Sequence, residues 1–62
     1  MNQTETYWTL QTAIQYGGGF IRQIAKAALI ADADNKALIF KYWPQLESVY
    51  GPTGALYIGK DK

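Results

Sequence analysis

Few side chains in this sequence could do chemistry, and the two most versatile kinds are missing. There is no histidine and no cysteine, which removes the commonest general base, the commonest metal ligand and the thiolate nucleophile. Five carboxylates remain: Glu5, Asp32, Asp34, Glu47 and Asp61. Two of them could share acid–base work only if a fold brought them to one cleft. Asp32 and Asp34 read as helix caps instead, and the others as solvated surface. A chain of 62 residues also leaves little room for a ligand-sized pocket. The sequence therefore predicts a non-catalytic protein without a cofactor.

Two short constellations invite a binding role. Gly17-Gly18-Gly19 precedes Arg22 and Lys26, and a glycine turn that opens a helix can present N–H groups to an anion. The phosphate loop, however, needs Gly-Lys-Ser/Thr after its spacer, and the dinucleotide fingerprint needs a preceding strand. Neither is present, so the glycines read as a structural turn. Asp32-Ala33-Asp34-Asn35 offers oxygen atoms in the manner of a calcium loop. Such a loop wants greater length, a glycine bend and a terminal bidentate glutamate. All three are missing, and no metal site is expected.

The elements that must position these residues are helices. Phe20–Ala31 is apolar at nine of twelve positions, with Arg22, Gln23 and Lys26 gathered on one arc of the helical wheel. Ile30 falls within that same arc. So wide an apolar surface predicts a core helix covered on more than one side. Before it, Tyr7, Leu10, Ala13 and Ile14 keep helical spacing, giving a first helix over about residues 5–16 capped by Thr4 or Thr6, with Met1–Thr6 frayed. The glycines between the two favour a break that folds one helix over the other. The phase nearly survives them, which leaves a continuous or kinked helix as the alternative.

Asp32 suits the N-cap of a third helix over about 33–42, with Asp34 in its first turn. Leu38, Ile39, Tyr42, Trp43, Leu46, Val49 and Tyr50 keep one helical face across Pro44. Proline cannot continue the hydrogen-bond ladder, so a short fourth helix over about 44–50 starts afresh there. Gly51-Pro52 ends it, with Gly51 suited to the left-handed C-terminal position. Residues 51–62 are expected as an extended tail across the helices, with Leu56 and Ile58 or Tyr57 tucked in and Lys60–Lys62 disordered. The fold class is all-α: one small domain of three to four short helices (about 5–16, 20–31, 33–42 and 44–50) with that tail.

The run from Gly17 to Gly51 resembles small, mostly uncharacterised helical proteins of bacteriophage and prophage genomes. The resemblance rests on Gly18-Gly19-Phe20 at a helix start, Ala31-Asp32-Ala33-Asp34-Asn35 at a helix junction, Trp43-Pro44, and Tyr50-Gly51. Gly18-Gly19-Phe20 is offset by one from the usual spacing, and the first helix and tail lie outside the likeness. It implies a phage-type accessory protein and transfers no catalytic residue.

Composition then sorts the functions. The chain is 48% hydrophobic and 15% aromatic, more apolar surface than one small core is expected to hold. A protein-interaction module that self-associates or binds a protein partner would cover the surplus. Trp8, Phe40, Trp43 and Tyr57 are the candidate anchors, although Trp8 reads first as an edge of the core and Phe40 as covered by the bend and the first helix. The alternative is a helical nucleic-acid binder using Arg22, Lys26, Lys36 and Lys41. Against it, net charge is only +1, and Lys36 and Lys41 fall on opposite sides of their helix. The longest uncharged run, Thr6–Ile21, is too polar to span a membrane. The Phe20–Ala31 helix carries only two positive charges, few for membrane-surface binding. No Lys or Arg precedes Arg22, so the start lacks the basic segment of a secretory signal. A soluble cytoplasmic protein is expected, in the host cytoplasm if the gene is a phage's.

Overall fold

The chain enters its first helix almost at once, because Asn2 and Glu5 cap it reciprocally. The Asn2 side-chain oxygen accepts the Glu5 N–H at 2.7 Å, and the Glu5 carboxylate accepts the Asn2 N–H at 3.0 Å. This capping box satisfies two N–H groups that the helix cannot pair internally. Helix α1 accordingly spans Gln3–Tyr16 in a computed structural model that describes residues 1–62. The expected cap at Thr4 or Thr6 and the frayed start are thus corrected. Asn2-x-x-Glu5 outcompetes both threonines because it offers two bonds rather than one.

The chain breaks at the glycines, and α2 (Gly19–Ile30) folds back along α1. Gly17 is buried in this turn, and its own N–H donates to Ala13 O at 2.8 Å. A Cβ at Gly17 would stand 2.5 Å from that oxygen and 2.8 Å from Ile21 Cγ2. The glycine is therefore required by space, since no residue in the chain has a positive φ. Arg22 reaches back across the turn, its Nε donating to Ile14 O at 3.0 Å. A cation there also complements the negative end of α1.

Helix α3 (Ala33–Tyr42) starts at Asp32, whose carboxylate accepts the Asn35 N–H at 2.8 Å. Trp43 then leaves the helical region at φ −126°, ψ 68°, as a residue before proline must. Helix α4 (Gln45–Tyr50) follows, with Pro44 as its cap rather than its first residue. Gly51 ends α4 at φ −81°, ψ −175°, so the left-handed geometry expected of it is not adopted. Its role is again spatial: the buried Gly51 donates to Glu47 O at 2.8 Å, and a Cβ would overlap that carbonyl.

The core lies among α1, α2 and α4: Leu10, Ala13, Ala25, Ala28 and Leu46 are fully buried. Three of these five are alanines, which lets the helix backbones approach closely. Helix α2 is covered on this side and left open on the other, where Phe20 is 63% and Ile30 89% exposed. The cover expected around more of its circumference is not there.

On α1 the buried face includes Thr9 and Thr12, while Tyr7 is left exposed. Thr9 Oγ1 donates to Met1 Sδ at 3.2 Å, and the tail crosses α1 at Thr12. Thr12 Oγ1 donates to Trp8 O at 2.7 Å and accepts the Ile58 N–H at 3.1 Å. Its hydroxyl can be buried because both bonding functions are used. The tail itself is a succession of tight turns rather than an extended strip, with Gly54 N–H on Gly51 O at 2.8 Å. Tyr57 is tucked in at 9% exposure, while Leu56 stays outside. The last residues, expected to be disordered, are held as well: Lys62 N–H donates to Gly59 O at 3.1 Å, and the Lys62 ammonium lies 5.4 Å from the Trp8 ring centroid.

Candidate interaction surface

The four candidate anchors occupy different environments. Tyr57 is taken up by the chain's own core. Trp8 is half-buried, edge-on to Tyr7 at 5.1 Å and capped by Lys62. Trp43 is half-buried against the core and 6.1 Å from the ring of Phe20. Phe40 also packs against the core and forms one wall of an open groove. The structure does not bring these four together into one patch.

The basic residues likewise diverge. Arg22 is committed to the end of α1, Lys36 lines the groove, and Lys41 lies 5.5 Å from the ring of Tyr42. No group of three or more carboxylates gathers as a metal would require. Every buried side-chain nitrogen and oxygen has a hydrogen-bond partner, so no interior polar group is held in reserve for a ligand.

The surface is distinguished by which side chains it shows, not by its extent. The accessible area is 3998 Å², and a compact monomer of 6.9 kDa exposes about 4,000 Å². Within that ordinary area, Ile30, Tyr42, Phe20 and Leu38 are 89, 65, 63 and 47% exposed. Leu38, Tyr42 and Val49 form the outer half of the stripe that runs across Pro44. Its inner half, Ile39, Trp43, Leu46 and Tyr50, turns to the core. Ile30 stands alone in the arc that α2 otherwise gives to polar residues, a signal already visible in its spacing.

Helix α3 is the least covered element, with no buried residue. Between it and the first turns of α1 runs the groove, lined by Met1, Tyr7, Leu29, Ala37 and Phe40 with Lys36. Ala33, Ala37 and Phe40 line it from α3, Met1 and Tyr7 from the start of the chain, and Leu29 from α2. Such a trough suits a helix or an extended segment of another protein. The chain matches no protein-family model, no curated protein and no solved structure. No helix is long and apolar enough to cross a membrane.

Proposed function

We propose that the protein is a non-catalytic interaction module that docks onto protein through α3 and the groove beside it. The observation that carries this reading is that α3 buries none of its residues while exposing Leu38 and Tyr42 and walling an apolar groove with Ala37 and Phe40. A ten-residue helix is marginal in water on its own and draws its stability from a packed face. The core gives α3 one such face through Ile39 and Phe40, and a protein partner supplies the second. The phage-type resemblance of residues 17–51 points to the same class, a small accessory protein acting by contact. Site-specific photo-crosslinking tests the reading. A crosslinker at position 38 should form protein adducts in the cells that make the protein, whereas one at exposed Gln15 on α1 should not. Equal labelling from both positions, or none from position 38, overturns it.

A further inference from the structure

The face that α3 turns to solvent carries Asp34, Ala37, Leu38 and Lys41, all exposed. A turn of about 100° per residue places these four on one arc, opposite Ile39, Phe40 and Trp43, which pack against the core. The pattern along this arc is acid, apolar pair, base. It has opposite charges at its two ends and the apolar pair midway between them.

We infer that the occupant of this face is a second copy of the chain, paired antiparallel through α3 about a two-fold axis between Ala37 and Leu38. This deepens the docking reading above and rests on it. The axis sets Asp34 of each copy beside Lys41 of the other and brings the two Ala37–Leu38 pairs together at the centre. A parallel arrangement would oppose Asp34 to Asp34 and Lys41 to Lys41, so the charges select the antiparallel one. The helix dipoles favour it too. Lys41 is exposed, its ammonium 5.5 Å from the ring of its neighbour Tyr42. Ala37 adds no bulk at the axis, allowing the helices to approach. A face one helix wide covers less than the roughly 800 Å² per partner of a standard interface. The dimer is therefore weak.

Charge exchange tests the pairing. Sedimentation equilibrium of the full chain at concentrations up to roughly 1 mM should show a reversible dimer. Asp34→Lys and Lys41→Asp should each weaken it by about tenfold, because the symmetry repeats every pair. An equimolar mixture of the two variants should dimerise as well as the parent, since unlike ends again oppose each other. The same recovery should follow when both changes are made in one chain. Local weakening of α3 by either substitution cannot be repaired by mixing, so recovery in the mixture reports the contact itself. A mixture no better than its components overturns the antiparallel pairing. A parent that stays monomeric throughout overturns self-association as the use of this face. In that case, adducts from position 38 to a different protein would leave the docking reading standing.

Discussion

Helices α1 and α3 are started by the same device and end in opposite states. In each, a side chain before the first turn accepts the N–H of the third residue in: Asn2 from Glu5, and Asp32 from Asn35. Yet α1 buries Thr9, Leu10, Thr12 and Ala13, and α3 buries nothing. Capping and helical spacing decide where a helix forms, but the neighbours it meets decide how much it contributes to stability. Here α1 has α2, α4 and the tail around it, while α3 has only a sparse contact with α2 and α4 on one side.

The sharpest way to break this contrast is to shorten one leucine in each helix. Leu10→Ala should destabilise the fold by about 2–5 kcal/mol, the usual range for a buried leucine. Leu38→Ala should change it by less than about 0.5 kcal/mol in dilute solution, as surface substitutions do. Urea denaturation monitored by tryptophan fluorescence checks both, and similar losses would show that α3 is no less integrated than α1.

The turn between α1 and α2 offers the next test. Gly17→Ala should cost about 1–3 kcal/mol through overpacking against Ala13 and Ile21. Gly19→Ala, whose Cβ meets nothing within 4 Å, should stabilise by up to about 1 kcal/mol. Thermal melts of the two variants should move in opposite directions.

The caps give the smallest and most discriminating effect. Asn2→Ala and Asp32→Ala each remove an interaction of about 1 kcal/mol. In α1 the loss should lower the unfolding midpoint of the whole chain. In α3 it should appear as faster amide exchange from residues 33–42 with the midpoint nearly unchanged, because a loosely packed helix opens locally. Hydrogen exchange followed by mass spectrometry separates the two. Global unfolding in both variants would dissolve the distinction.

The helices themselves were legible in the sequence. The apolar spacing, the glycine break, Asp32 and Pro44 all act within a few residues of where they stand, and the four elements lie within two residues of the expected positions. The exception was the start of α1, although its signal was local too: Asn2 stands three residues before Glu5. What stayed illegible was which side each helix shows to the core. Thr12 is buried where a tail dozens of residues away bonds its hydroxyl, and Thr9 where Met1 reaches back to it, while Tyr7 is left exposed. Leu38 and Tyr42 share a stripe with Ile39 and Trp43, and nothing in the spacing says that the core takes only half of it. For the surface, Ile30 in a polar arc was a usable signal. The burial of Tyr57 depended on a turn-rich path that alternation of side chains does not encode.

The bond between Thr12 and Ile58 joins residues 46 positions apart, and this separation has a kinetic meaning. The hairpin of α1 and α2 closes over a two-residue turn, so its contacts are cheap in chain entropy and can form early. The tail can settle only on a surface that α1 and α4 have already built. Its contacts are therefore expected on the downhill side of the folding barrier, where they would slow escape from the native state without hastening arrival. By this reasoning the C-terminal turns act as a late latch: changes there should alter how long the protein stays folded far more than how fast it folds, a difference that stopped-flow measurement of both rates would resolve.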